Sequence, residues 1–302
     1  MLTIKKIAQL TGHNASIFAL CKDANAQHFL SGAGDGWMVQ WNAQAPEMGH
    51  LVAKTDAQIF ALLALPNQQK IVAGDMNGGV HWIDLAEPDR TRDIAHHGKG
   101  VFGLLPIAEF VLSIGGDGML TRWLAAEGRS VESLHLSNQS LRSIDYCAAR
   151  NEIAIGSSDN NIYLLDAHTF EIRETLPKAH ENSVFALRYH PNGKLLLSGG
   201  RDAHLKVWDL DNTTQLISDQ PAHWFSINDI CFMQNTSCFA TASRDKTIKI
   251  WDTETFQLLK VLDTIRDGCH INSVNALLCL PEHKLLASCS DDRSIILWAY
   301  EV

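Results

Sequence analysis

The chain has 302 residues, a formal net charge of −9 and a hydrophobic fraction of 46%. An acidic chain of this kind lacks the basic stripe that a phosphate-backbone binder needs, so nucleic acid is disfavoured as a partner. No apolar run approaches the length of a membrane helix, and the 20% charged content is that of an ordinary globular protein, so no membrane association is expected.

The chain opens with Leu2–Leu10, LTIKKIAQL, which reads as a strand. It has neither the apolar run nor the cleavage site of a secretion signal, so a cytoplasmic location is expected. Cys21, Cys147, Cys231, Cys238, Cys269, Cys279 and Cys289 include no C-x-x-C pair, which predicts free thiols rather than a disulfide or metal framework.

Beyond residue 10 the sequence repeats. Segments such as FLSGAGDGWMVQWN, LLSGGRDAHLKVWD and FATASRDKTIKIWD recur seven times. Their penultimate residues are Trp41, Ile83, Trp123, Leu165, Trp208, Trp251 and Trp298, spaced by 40 to 47 residues. Six residues earlier come Asp35, Asn77, Asp117, Asp159, Asp202, Asp245 and Asp292. Within each unit a short apolar run (SVFALRY) precedes a turn (HPNGK) and a second run (LLLSGG). A third run (AHLKVWD) alternates with period two, and a weaker fourth follows (TTQLISD). No helical period persists. Four strands per unit at this spacing predict an all-β, seven-bladed β-propeller with one sheet of four antiparallel strands per blade.

These residues resemble the WD-repeat family of β-propellers. Gly12–His13 matches the Gly-His pair of that family, and Trp208–Asp209 and Trp251–Asp252 match its Trp-Asp pair. The resemblance covers the whole chain and implies a platform for binding partners; no cofactor and no catalysis are expected. Only AYEV follows Trp298, too little for a fourth strand. Leu2–Leu10 is therefore expected to complete the seventh blade and close residues 1–302 into one domain, a monomer being favoured.

Five units carry a polar set at fixed offsets. These are His13, Ser31, Asp35, Trp41; His97, Ser113, Asp117, Trp123; His180, Ser198, Asp202, Trp208; His223, Thr241, Asp245, Trp251; and His270, Ser288, Asp292, Trp298. Ser, His and Asp together suggest a hydrolase. A catalytic triad is needed once, however, whereas five blade-periodic copies track the scaffold. A buried indole N–H also needs an acceptor. The resemblance implies a structural hydrogen-bonded chain from Trp through the hydroxyl and His to Asp. Unit two instead has Thr55, Ala73, Asn77 and Ile83, and unit four has Ser137, Ile155, Asp159 and Leu165. His and hydroxyl vanish together there, so neither is expected to carry such a network. Adjacent His96 and His97 lack a third ligand, and no metal site is expected.

The resemblance places partner binding on the face carrying the turns before the repeated Asp, around the central channel. Following the first core residue of each first strand come Phe18, Phe60, Phe102, Arg142, Phe185, Asn228 and Asn275. Four units thus read Ile/Val-Phe-Ala/Gly-Leu, and three do not. Two readings of the Phe residues stay open: packing between blades, or lining the channel mouth beside small neighbours. The second joins Phe18, Phe60, Phe102, Phe185 and Arg142 with Arg201, Asp229, Arg244 and Asp291 into a site for a protein or peptide. Net charge suggests a partner that is not itself strongly acidic. The alternative is a propeller enzyme or small-ligand binder using the same polar groups.

Overall fold

The computed structural model describes residues 2–23, 25–65, 69–211 and 213–301. Among these residues lie seven antiparallel four-stranded sheets arranged as a propeller. Blade one is built from Ile17–Lys22, His28–Ala33, Trp37–Asn42 and His50–Lys54, and the next five follow the same consecutive order. The first strand of each blade packs on the first strands of its neighbours, and Val274–Leu280 packs on Ile17–Lys22, so the ring closes around a channel.

Blade seven takes its outer strand from the start of the chain. Thr3–Thr11 pairs with Ser294–Glu301, from Thr3 opposite Glu301 to Thr11 opposite Ser294. This removes the unpaired edge that Ser294–Glu301 would otherwise present. Ile4 and Leu10 point into the core while their neighbours face out, the period-two pattern of a strand buried on one face.

Apolar contact lies between sheets. Leu10, Ile17, Phe29 and Trp41 form one cluster with Leu280, Leu286's neighbour Leu285, and Leu297, joining blades seven and one. A fully buried Ile or Val opens every first strand except that of blade four, where Leu141 does so. Several of these press onto a glycine of the preceding blade. A Cβ on Gly32 would stand 2.6 Å from Ile59, and one on Gly74 would stand 2.5 Å from Val101. Burying such an aliphatic side chain is worth about 1.5–3 kcal/mol, so glycine here serves blade-to-blade packing. The longest repeat spacing, between blades six and seven, accommodates a one-turn helix, Thr264–Asp267, capped by Asp263.

A candidate partner-binding face at the channel mouth

The five polar sets meet side chain to side chain. In blade five the indole N–H of Trp208 donates to Ser198 Oγ at 2.9 Å. Ser198 Oγ lies 2.8 Å from His180 Nε2, and His180 Nδ1 lies 3.0 Å from the Asp202 carboxylate. The other four repeat these bonds. Trp41, Trp123, Trp251 and Trp298 donate to Ser31, Ser113, Thr241 and Ser288. His13, His97, His223 and His270 bridge those hydroxyls to Asp35, Asp117, Asp245 and Asp292. A carboxylate only accepts, so Nδ1 carries a proton toward the Asp, and Nε2 faces the hydroxyl. Each Asp also accepts backbone N–H bonds from both sides, Asp202 from Glu181 and His204. The chain thereby ties the second and third strands to the loop before the first.

Electrostatics follow from this wiring. Burial works against a charged Asp202, but the hydrogen bond and charge of His180, with the two backbone donors, hold its carboxyl down at about 2. Asp245 and Asp292 are lowered for the same reasons, further than Asp117. Burial pushes His13 and His223 below the ordinary imidazole value, against the pull of Asp35 and Asp245. All five hydroxyl residues have zero exposure, so no substrate reaches them.

The two irregular blades depart from expectation, because each has a network of its own. In blade two the carboxylate sits two residues early. Asp75 Oδ2 contacts His81 Nε2 at 2.9 Å, and His81 Nδ1 contacts Asp93 at 2.6 Å. Asp75 Oδ1 accepts from the N–H groups of Asn77 and Gly79. In blade four Asp159 Oδ2 accepts from Ser137 and Tyr163, both at 2.6 Å. His81 and Tyr163 occupy equivalent places, four residues after Asn77 and Asp159. Offsets copied from the regular units pass over both, since the replacements come from other positions. A depression of about 650 Å³ between blades one and two is floored by Asp75, His81 and Asp93.

The channel-mouth side chains are placed by a bulge that recurs in every blade. The pairing of first with second strand slips once, between Ile17 and Ala19, Ile59 and Ala61, Val101 and Gly103, Leu141 and Ser143, Val184 and Ala186, Ile227 and Asp229, and Val274 and Ala276. The extra residues are Phe18, Phe60, Phe102, Arg142, Phe185, Asn228 and Asn275. A bulged residue leaves the pleat and is re-aimed, here into the channel. All seven line one central cavity of about 220 Å³. The four Phe residues are half-buried and line this cavity, and the rings of Phe18, Phe60 and Phe102 also meet between neighbouring blades, so features of both readings are present.

Around this lip the contacts change character. Phe18 meets Phe60 with ring centroids 4.9 Å apart, and Phe60 meets Phe102 at 5.6 Å. The Arg142 guanidinium then lies 4.2 Å from the Phe102 centroid and 5.7 Å from that of Phe185. On the far side Asn228 donates to the Val274 carbonyl, and Asn275 donates to the Ile17 carbonyl and to Asp291. Asp229 also lines the cavity, but it is engaged structurally: it pairs with Arg188 at 3.3 Å and accepts from the Leu277 N–H. Arg201, Arg244 and Asp291 stand outside the cavity wall, in the turns.

The turn of blade six differs in composition from the corresponding turns of the other blades. Directly after its network His, blade six carries Trp224 and Phe225 where other blades carry residues such as Asn14, Gly98 and Glu181. Trp224 is 86% exposed and Phe225 57%. The Arg244 guanidinium lies 6.0 Å from the Phe225 ring centroid. Ile271, at the matching place in blade seven, is 64% exposed.

Comparison with known proteins agrees with this architecture. The family profile described as "WD domain, G-beta repeat" matches residues 4–42, 170–209, 214–252 and 259–299. The chain is similar to "Transducin beta-like protein 3" of Rattus norvegicus, 21% identical over 352 residues, covering 97% of this chain and 40% of that protein. It thus spans about two fifths of the length of that relative. It is also 21% identical over 311 residues to "Guanine nucleotide-binding protein subunit beta" of Arabidopsis thaliana, covering 96% of this chain and 82% of that one. The solved WD40 β-propeller domain of Doa1 superposes with a TM-score of 0.83 at 18% identity, over 99% of this chain and 97% of that chain.

Proposed function

Because the chain belongs to the WD-domain, G-beta-repeat family, we propose that it is a non-catalytic scaffold that binds a protein or peptide on the face around the channel mouth. The observation that carries this reading is the exposure of Trp224 and Phe225 on that face, next to Arg244. Trp and Arg are enriched among binding hot spots, and Phe among interface residues, when a partner covers them. Leaving a Trp in water forgoes hydrophobic stabilisation, which a partner's surface would recover. The lip supplies a second element, four half-exposed Phe rings and Arg142 around a recess. At about 220 Å³ the recess is smaller than the roughly 300–1,000 Å³ usual for small-molecule sites, and suits one inserted side chain. The buried hydroxyls of the five sets, each accepting from an indole, likewise favour a scaffold over a hydrolase.

The test is a pull-down against the wild type with Trp224→Ala/Phe225→Ala as the comparison. The expected outcome is a partner captured by the wild type and lost by the variant, while the melting temperature stays within about 2 °C. A captured partner retained by a folded variant would move the site elsewhere.

A further inference from the structure

Of the seven bulge residues at the lip only Arg142 carries a charge; Arg188 and Asp229 also line the cavity but pair with each other, and the surroundings of Arg142 leave its charge unanswered. Its guanidinium is stacked between Phe102 and Phe185, and its Nε donates to Ser158 Oγ at 3.2 Å. Among the described residues no carboxylate lies within ion-pair distance of it. Other partly buried arginines are matched: Arg150 by Glu152, Arg188 by Asp229 and Arg122 by Glu132. A half-buried cation without a counter-ion is costly, and the π faces of two Phe rings answer it only in part. The chain has 34 acidic against 25 basic residues, so the shortage of carboxylates here is local.

Arg201 adds a second charge of the same sign. It sits in the turn of blade five, its N–H bonded to the Ser183 carbonyl two residues before Phe185, and no carboxylate pairs with it among the described residues. Burial, and then the like charge of Arg201, lower the Arg142 guanidinium below the ordinary arginine value. Arg244 stands in the corresponding turn of blade six, also without a carboxylate among the described residues. Blades four to six therefore carry three uncompensated guanidiniums at one end of the channel.

We propose that the channel mouth recognises an acidic peptide segment, one carboxylate side chain entering the recess against Arg142 while Arg201 and Arg244 meet flanking acidic residues. The inference rests on the scaffold reading and specifies its ligand. It reverses the expectation drawn from net charge, because a bound side chain answers to the charges within a few ångströms rather than to the sum over the chain. A guanidinium has a planar fork that meets a carboxylate in two parallel hydrogen bonds, and stacking on aromatic rings pre-orients that fork.

The test uses three fluorescein-labelled 12-residue peptides, identical except for Glu, Gln or Lys at the same four positions, titrated by fluorescence anisotropy. The Glu peptide is expected to bind at least tenfold more tightly than the Gln peptide, and the Lys peptide not at all. Arg142→Gln and Arg201→Gln are each expected to weaken the Glu peptide at least fivefold. Arg201 is an exposed turn residue, so its variant keeps the test decisive if Arg142→Gln melts early. Arg90→Gln, on a surface 3-10 turn, is expected to bind as the wild type does. Equal binding of Glu and Gln peptides overturns the inference, as does undiminished binding by folded Arg201→Gln. A phosphoserine peptide that binds where the Glu peptide does not overturns the carboxylate assignment. A protein partner lost by Trp224→Ala/Phe225→Ala but kept by both Arg variants would leave the scaffold reading standing and remove this one.

Discussion

Blade five and blade two solve one problem in different ways. Both anchor a carboxylate beside the turn between the second and third strands, but only blade five's carboxylate reaches the loop before the first strand, through His180 and the Glu181 N–H. Blade five does so with Asp202, His180, Ser198 and Trp208 in a line from turn to core. Blade two places the carboxylate at Asp75, its partner His81 within the third strand, and a second carboxylate at Asp93 on the fourth. Blade four uses a third solution, in which one carboxylate collects two hydroxyls, from Ser137 and Tyr163. The physical requirement is a carboxylate near the turn whose hydrogen-bond partners are supplied together. The residue types that meet it are interchangeable so long as the whole set changes together.

The largest expected effect asks whether these networks alone hold the ring. Deleting residues 1–10 leaves all five regular sets intact except for their context, but strips the outer strand from Ser294–Glu301. Aggregation, or a drop in melting temperature of more than about 10 °C, is expected from the opened edge. A monomer with unchanged melting would show that side-chain networks suffice without closure.

Next come the two blades compared directly. Asp202→Ala leaves the His180 Nδ1–H and the Glu181 and His204 N–H groups without their acceptor and should cost about 2–4 kcal/mol in urea melts. Asp75→Ala should cost a similar amount, whereas Asn77→Ala, at the position periodicity singles out, should cost about 1 kcal/mol or less. Equal losses from Asp75→Ala and Asn77→Ala would break the comparison. Tyr163→Phe removes one of two hydroxyl donors to Asp159 and should cost about 1 kcal/mol.

A pH series sharpens the account of the regular blades. His13 and His223 titrate lower in the folded chain than in the unfolded one. Below about pH 6.5 the unfolded imidazoles therefore take up protons that the folded ones refuse, and stability begins to fall. Asp202, Asp245 and Asp292 are likewise lowered, so a second loss sets in below about pH 4 and continues through the Asp202 value of about 2. Urea midpoints at pH 7.5, 5.5, 4 and 3 should fall in that order, and Asp245→Asn should flatten the acid limb. A midpoint rising as the pH falls would contradict the assigned charge states.

The smallest effect concerns thiols. Burial pushes Cys21, Cys231 and Cys269 up to about 12, and Cys289 beyond that. Reaction of the native protein with a thiol reagent at pH 8 should be much slower than that of the urea-unfolded chain, because the thiolate is the reacting species.

Much of this protein was already written in its sequence. The period of the Trp and Asp positions yields seven blades, and Leu2–Leu10 has the strand character of the segment that pairs with Ser294–Glu301. The five His, hydroxyl, Asp and Trp sets are legible because each repeats at constant offsets, and a repeated offset within a repeated blade becomes a repeated contact. The exceptions were not legible in the same way. Asp75, His81 and Tyr163 form their networks through contacts that occur once each, so no periodicity marks them. Tertiary structure alone decided where the lip residues point. Phe18 or Phe185 in an alternating strand can face either side, and it is the one-residue slip beside Ile17 and Val184 that turns them into the channel. It also decided which charges go unmatched. Arg142 and Arg188 are both arginines of first strands, but only the path of the chain around the ring brings Asp229 to one and two Phe rings to the other.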